Sequence, residues 1–95
     1  MEQNYKLTIL DFWGENCLPC KKVAPIIDQL ESEYYQTVEV KKINVELKEN
    51  EDLLIKYKVR SIPRVIFLKE DKIVDTYVGP HPKSTYEQLI KKHLC

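Results

Sequence analysis

The sequence predicts one α/β domain in which helices cover both faces of a mixed sheet. Patterns typical of strands and helices follow in the order strand, helix, strand, helix, strand, strand, helix. A parallel pair of strands needs a crossover, and the first helix supplies one between the first two strands. The last two strands are separated by two residues, which favours an antiparallel hairpin and makes the sheet mixed. The 95 residues contain no repeat or linker, so we expect a single domain over residues 1–95.

The first strand and the first helix are predicted over residues 6–12 and 18–35. The first of these runs is β-prone and largely apolar and ends before Gly14, so Asp11 is expected to lie within a buried strand. In the second run, apolar side chains recur at helical spacing and share one helix face. These side chains are Val23, Ile26, Ile27, Leu30 and Tyr34. Pro25 lies inside this helix, where we expect a kink.

Three further strands are predicted after the first helix. Alternating apolar residues indicate a strand over residues 38–45. The β-prone runs 63–69 and 72–78 are joined by Glu70 and Asp71, which predicts a hairpin.

Two more helices are predicted from capping residues. Asn50 is expected to cap a short amphipathic helix, and Ser84 with Glu87 resembles a capping box at the start of the last helix. The side chains expected to face inward are Leu53, Leu54 and Tyr57 in the short helix, and Leu89, Ile90 and Leu94 in the last helix.

Composition and charge exclude several classes of function. Lys plus Arg and Asp plus Glu each number 15, so no overall positive field favours a nucleic acid partner. The longest strictly apolar run, residues 65–68, is far shorter than the ~20 residues needed to span a bilayer. The first residues show no secretory signal pattern, so we expect a cytoplasmic protein that has no membrane partner.

The cysteines point to redox chemistry. Three cysteines are an odd number, and Cys17 and Cys20 are too close in sequence to link distant parts of a fold. Redox chemistry and half of a metal site both remain open for such a pair. His81, His93 and Cys95 do not have the spacing of metal ligands relative to the pair, so we predict no metal and no cofactor.

The Cys17-Leu18-Pro19-Cys20 segment is predicted at the start of a helix, where unpaired backbone N–H groups and the helix dipole stabilise an anion. The Cys17 thiolate is therefore expected to form near neutral pH and to act as a nucleophile. Cys20, one turn later, is placed to attack a mixed disulfide formed by Cys17. Pro19 suits the first helical turn, which does not use its missing N–H.

Asp11 has two open interpretations. If its carboxyl lies under the helix start, burial raises its pKa and suits it to accept the Cys20 proton through a water molecule. If instead it faces a sheet edge, it merely reaches solvent.

Taken together, these motifs make the chain resemble the thioredoxin family over about residues 6–93. The motifs that carry the resemblance are Asp11-Phe12-Trp13, Cys17-x-Pro19-Cys20-Lys21, Ala24-Pro25, Lys42-Ile43-Asn44-Val45, Ile62-Pro63 and Val78-Gly79. The resemblance implies a thioredoxin fold, with a four-stranded mixed sheet and three helices.

The resemblance also implies a function. Such a protein reduces disulfides of substrate proteins through a mixed disulfide and receives electrons from a reductase, and it is expected to be monomeric. Cys17 is then the attacking thiol, Cys20 the resolving thiol, Asp11 the buried base and Lys42 its charge partner, and Pro63 is expected to be cis. The Ile62 backbone is expected to pair with an extended substrate chain.

A substrate-binding surface around Cys17 is also implied. Its apolar members are expected to be Trp13, Val45, Ile62, Gly79 and Pro80, and Leu18, Pro19, Pro63 and Arg64 belong to the same substrate-binding set.

Several positions depart from the family pattern. The strand and helix that usually precede the first predicted strand have no counterpart in this sequence. Asn16 and Leu18 stand where Trp and Gly are usual, and Arg64 and Lys58 stand where Thr and Gly are common. These departures leave open the redox potential, the partners and the choice between reductase, oxidant and isomerase. A non-catalytic binding module is the alternative from another class, but it has no need of both thiols.

Overall fold

The structure is a computed structural model that describes residues 5–94, and these residues form a four-stranded mixed sheet with helices on both faces. The strand order is β2-β1-β3-β4, and the predicted fold class is therefore confirmed. The elements are β1 (Leu7–Trp13), α1 (Leu18–Glu33), β2 (Val38–Asn44), a 3-10 turn (Lys48–Asn50), α2 (Glu51–Lys56), β3 (Arg64–Lys69), β4 (Lys72–Val78) and α3 (Lys83–Leu94).

The β1 strand occupies a central position in the sheet. It pairs in parallel with β2, where Asp11 lies opposite Lys42, and antiparallel with β3, where Asp11 lies opposite Val65. The β3–β4 hairpin turns at Glu70 and Asp71, as predicted, and both residues adopt positive φ angles, of 52° and 66°. Such a turn matches the right-handed twist of the flanking strands.

The larger core lies between the sheet and the helices α1 and α3. The apolar stripe predicted on α1 is confirmed, because Val23, Ile27 and Leu30 are buried against this face of the sheet. From α3, Leu89 and Ile90 are buried in the same cluster. The other fully buried members are Leu7, Ile9, Val38, Val65, Phe67 and Tyr86.

A smaller core lies on the opposite face of the sheet, under α2. The buried residues are Leu10, Phe12, Ile43, Ile66 and Leu68. Leu53, Leu54 and Tyr57 pack against them from α2 and its C-terminal end, as predicted.

The C-terminal end of α2 forms a Schellman motif around Lys58. The backbone N–H of Lys58 donates to Ile55 O at 3.2 Å, and that of Val59 donates to Leu54 O at 2.9 Å. This pattern requires a left-handed residue, and Lys58 has a φ of 54°. The family preference for glycine at this position therefore has a steric cause, and the lysine carries backbone strain.

The capping prediction for Asn50 is confirmed in position only, since Asn50 is the N-cap residue of α2, and the prediction for Ser84 is wrong. The side chain of Asn50 makes no capping hydrogen bond, because its Nδ2 donates instead to Asn44 O at 2.9 Å. Ser84 is not a cap, because α3 already begins at Lys83. Pro82 explains the earlier start, since its carbonyl accepts the N–H of Thr85 at 3.0 Å and its ring fixes a φ angle compatible with a helix.

The other boundaries differ by one or two residues from the predicted ones. The first helix continues through Pro25 and ends at Glu33. The third strand begins at Arg64 and not at Pro63, since proline has no N–H to donate to a neighbouring strand.

Candidate active site

Cys17 and Cys20 form a disulfide at the N-terminus of α1. Their Cα atoms are 5.2 Å apart. Cys17 is the N-cap residue, with extended backbone angles, and its Sγ accepts a hydrogen bond from the Cys20 backbone N–H at 3.2 Å. The sulfur thus occupies the place that a serine or aspartate oxygen takes in an ordinary helix cap. The same N–H and the helix dipole favour a negative charge on this sulfur once the disulfide is reduced.

The two sulfurs differ in their access to solvent. Cys17 is half-buried, whereas Cys20 is only 5% exposed. Leu18, between them, projects into solvent with 73% exposure, and Pro19 occupies an exposed position in the first helical turn. A substrate disulfide therefore reaches Cys17 more readily than Cys20.

Asp11 is buried beneath the start of α1, with 4% exposure, and it does not face a sheet edge. It lines a cavity of about 240 Å³ that is also lined by Cys20, Trp13 and Lys42. Burial raises the pKa of Asp11 to about 6, mainly by desolvation, and the positive charge of Lys42 partly opposes this increase. The cavity connects the carboxyl with the buried thiol and is large enough for water molecules.

Lys42 lies opposite Asp11 in the sheet, but its ammonium group is engaged elsewhere. Within residues 5–94, the ion pairs of Lys42 are with Asp28, in direct contact, and with Glu31 at 3.9 Å. Both partners lie on α1. Lys42 therefore acts on Asp11 through space and not through an ion pair.

The turn that leads to Cys17 is fixed by residues distant in the sequence. A Cβ atom at Gly14 would lie 2.9 Å from Glu46 Oε2 and 2.9 Å from Ile62 Cδ1, so a larger residue would displace both. The Glu15 backbone N–H donates to Glu46 Oε2 at 2.6 Å. The Val45 N–H donates to Trp13 O at 2.8 Å, which extends the contact between the turn after β1 and the loop after β2. Glu46 was not predicted from the sequence, because nothing local shows that its loop returns to this turn.

The Ile62–Pro63 peptide bond is cis, as the resemblance implies. Pro63 is buried, and its carbonyl accepts the N–H of Gly79 at 2.9 Å. Gly79 has a φ of 81°, a left-handed conformation that suits glycine, so this residue connects the end of β4 to the proline loop. Ile62 and Val45 are half-buried and line a second cavity, of about 230 Å³, together with Arg60.

Two residues of the predicted substrate-binding set, Pro80 and Arg64, lie where β4 ends and β3 begins. Pro80 is exposed beyond the end of β4. Arg64 is half-buried, and its Nε donates to Thr76 Oγ1 on β4 at 2.6 Å. That contact directs the guanidinium towards β4.

Two features around Asp11 and Lys42 were not predicted from the sequence: the carboxylate pair on α1 and the hydroxyl of Tyr86. Asp28 and Glu31 are three residues apart on α1, a spacing that places both on one helix face, but the strand that this face meets is not evident from the sequence. Tyr86 precedes Leu89 and Ile90 by helical spacing, which is a signal that it faces the core. Its hydroxyl is buried, faces the His81 backbone and has no hydrogen bond of normal geometry within residues 5–94.

Metal sites and membrane-spanning helices are both absent from the part of the chain that the structure describes. No group of three or more His, Cys, Asp or Glu side chains within residues 5–94 is arranged to hold a metal ion. None of the helices in this region has the length and apolar character needed to cross a membrane. Cys95, considered above as a ligand, lies outside the described residues.

Comparisons with known proteins agree with this geometry. The model of the family described as Thioredoxin matches residues 1–92. Thioredoxin from Bacillus subtilis is 38% identical over 93 residues, which cover 98% of this chain and 88% of the relative. Thioredoxin 1 from Synechococcus elongatus is 40% identical over 86 residues, or 90% of this chain and 78% of the relative. Thioredoxin from Porphyra purpurea is 37% identical with the same coverage.

Proposed function

Since the chain belongs to the thioredoxin family and is a thiol-disulfide oxidoreductase that reduces disulfides, we propose that it does so through a mixed disulfide on Cys17. The observation that carries this proposal is the position of the Cys17 sulfur, which accepts the Cys20 N–H at the start of α1. This position stabilises a thiolate and leaves it accessible.

In the first step, the Cys17 thiolate attacks one sulfur of a substrate disulfide. A new bond forms between Cys17 and that sulfur, the substrate S–S bond breaks, and the other substrate sulfur leaves as a thiolate that takes up a proton. The helix N-terminus supports this step because its dipole and the Cys20 N–H stabilise the thiolate that attacks.

In the second step, Cys20 resolves the mixed disulfide. Its thiol gives a proton to Asp11 through the shared cavity, and its sulfur bonds to Cys17. The bond between Cys17 and the substrate sulfur breaks, and that sulfur leaves as a thiolate that takes up a proton. Two electrons have then passed from the cysteine pair to the substrate. With a pKa raised to about 6, the Asp11 carboxylate is a stronger base than an ordinary aspartate and is still mostly ionised at neutral pH.

The docking surface proposed for substrates consists of Trp13, Val45, Ile62, Pro63 and Gly79, which adjoin the turn before Cys17 and the proline loop. This proposal is supported by the contacts of Gly14 with the loops of Val45 and Ile62, and by the hydrogen bond between Gly79 and Pro63. Leu18, Pro19, Arg64 and Pro80 are proposed as outer contacts, since three of them are exposed and Arg64 is half-buried.

The proposed partners are disulfide-containing proteins as substrates and a reductase as electron donor. We also propose a monomer, as the family resemblance implies. We propose a cytoplasmic location because a cysteine pair that turns over as thiols requires a compartment that keeps it reduced.

The experiment is the reduction of insulin by dithiothreitol, followed by turbidity, with the natural chain, Cys17→Ser and Cys20→Ser. We expect catalysis by the natural chain only. With pre-reduced Cys20→Ser and no dithiothreitol, we expect a covalent Cys17–insulin complex to accumulate. Equal rates for all three proteins would instead support a non-catalytic binding module. The equilibrium potential of the pair against glutathione then separates a reductase from an oxidant or isomerase.

A further inference from the structure

The ammonium group of Lys42 is placed between two sets of carboxyl groups. The backbone register puts Lys42 directly opposite the buried Asp11, and both residues line the cavity that contains Cys20. The ammonium nevertheless contacts Asp28 and lies 3.9 Å from Glu31, and neither of these carboxylates lines the cavity. Asp28 and Glu31 are well exposed, at 57% and 48% of their side-chain areas, so both are hydrated.

We propose that Asp28 and Glu31 are positioning residues, which hold the Lys42 ammonium at the rim of the cavity and thereby weaken its attraction for the Asp11 carboxyl. The importance of this arrangement for the reaction rests on the proposed function, in which Asp11 is the base. A lysine side chain has four rotatable bonds and reaches different partners from one backbone position, so the carboxylates of α1 determine where its charge resides.

The physical consequence concerns the proton affinity of Asp11. An ammonium in contact with a buried carboxyl strongly favours the ionised form, and the resulting aspartate is a weak base. At the observed position, Lys42 lowers the pKa of Asp11 less than burial raises it, and the negative charge of Asp28 adds to the increase. Asp28 and Glu31 thus help to keep the carboxyl basic enough to accept the Cys20 proton.

The neighbours of Asp11 on every packed element are consistent with this role. From α1 these neighbours are Asp28 and Cys20, whose sulfur is part of the disulfide and does not titrate; from β2 the neighbour is Lys42, and from α3 it is Tyr86, which interacts with Asp11 through space. The residue opposite on β3 is the apolar Val65. Glu15 and Lys21 line the same cavity. Lys42 is the cation that lowers the pKa of Asp11.

The test measures the pKa of Asp11 directly, from the carboxyl ¹³C chemical shift of the oxidised protein as a function of pH. In the double variant Asp28→Asn/Glu31→Gln, Lys42 is released and a neighbouring negative charge is removed, so we expect the pKa of Asp11 to fall by about one pH unit. The matched control is Glu33→Gln, which removes a carboxylate from the same helix that pairs with Lys83 at 2.8 Å. An Asp11 pKa that is the same in the double variant and in the control overturns the proposal.

A second pair of measurements separates the positioning of Lys42 from a direct effect of the carboxylates. In a Lys42→Met background, the Asp28→Asn/Glu31→Gln change is expected to move the pKa of Asp11 by less than half as much. If the change is as large without Lys42 as with it, the carboxylates act on Asp11 directly, and the proposed positioning of Lys42 is wrong.

Failure of the proposed function gives a different result. If Asp11→Asn leaves the pH profile of the resolving step unchanged, Asp11 is not the base, whereas the ¹³C titrations still report whether Asp28 and Glu31 position Lys42. If Asp11 is the base, the midpoint of that pH profile shifts downwards with Asp28→Asn/Glu31→Gln and stays constant with Glu33→Gln.

Discussion

The backbone N–H of Cys20 donates to the Sγ atom of Cys17 at 3.2 Å, so the Cys17 sulfur caps the helix in whose first turn Cys20 lies. The two thiols therefore lie in different environments although they are three residues apart. Cys17 lies at the positive end of the helix dipole and reaches solvent, while Cys20 is buried beside the cavity of Asp11.

The first prediction concerns thiol reactivity. In the reduced, folded protein we expect iodoacetamide to modify Cys17 at least about tenfold faster than Cys20, because a stabilised and accessible thiolate is the reactive form. Peptide mapping by mass spectrometry after short exposures measures both rates. Faster labelling of Cys20 would show that the two roles are reversed, and labelling in denaturant, where we expect equal rates, is the control.

The second prediction is a dependence of stability on pH that originates from Asp11. Its pKa is about 6 in the folded protein, compared with an ordinary value of 3.8, so the folded state binds this proton more tightly than the unfolded state. The free energy of unfolding therefore falls as the pH rises through the interval between these two values. At pH values above this interval, the ionised carboxylate lowers the free energy of unfolding by about 3 kcal/mol relative to the protonated form.

Urea denaturation of the oxidised protein checks this dependence. Relative to the natural chain, Asp11→Asn is expected to gain about 2 kcal/mol of stability between about pH 4 and pH 7.5. Asp52→Asn, at an exposed position in the first turn of α2, is the control, and its relative stability is expected to vary by less than about 0.5 kcal/mol. A pH-independent difference between Asp11→Asn and the natural chain would contradict the prediction.

The third prediction concerns the strained C-terminus of α2. Lys58→Gly is expected to stabilise the protein by about 1 kcal/mol, because glycine adopts the observed φ of 54° without a steric penalty. The midpoint of thermal unfolding should then rise by about 4–8 °C for a domain of this size. Lys56→Gly, two residues earlier and within the helix, provides the opposite control and is expected to lower stability by about 1 kcal/mol. If both variants shift the midpoint in the same direction, strain at Lys58 is not the cause.

The fourth prediction concerns the charge of preferred substrates. Between Leu53 and Lys69 the sequence has five Lys or Arg residues and no acidic residue, and Arg60 lines the cavity beside Ile62. We expect acidic disulfide peptides to be reduced faster than matched basic ones at low salt. The difference should diminish at physiological salt, where charges are screened over ~8 Å.

Stopped-flow rates with Arg60→Gln and Arg64→Thr test this preference. Both changes are expected to reduce it, with the larger effect at Arg60, because the Arg64 side chain is directed towards Thr76. Lys72→Gln, at the opposite end of the β3–β4 hairpin, is the control. Equal rates for both peptides at low salt, or a preference that neither arginine change affects, would refute the idea.

Much of the fold followed from local patterns in the sequence. The stripe of Val23, Ile27 and Leu30 on α1 and the hairpin turn at Glu70 and Asp71 depend on residues close in sequence, and both were predicted correctly. The side-chain capping bonds expected at Asn50 and Ser84 do not form, because in each case another interaction takes their place. The Asn50 amide has a partner on the end of β2, and Pro82 allows α3 to begin before Ser84.

The site residues that belong to short sequence motifs, such as Asp11, Cys17 and Cys20, could be predicted from the sequence. The position of the Lys42 ammonium could not, because it depends on which face of α1 crosses β2, a long-range property that has no local signal. Glu46 was missed for the same reason, since it meets Glu15 across a separation of 31 residues.

The pairing of Thr8 with Leu68 across β1 and β3 has a consequence for biosynthesis. The cysteine pair spans three residues, so its oxidation needs no distant part of the chain. The enclosure of Asp11 is different, because β3 emerges from the ribosome long after β1, and closing so large a loop is slow. A nascent chain therefore has a pair of oxidisable thiols before the carboxyl beside them is buried.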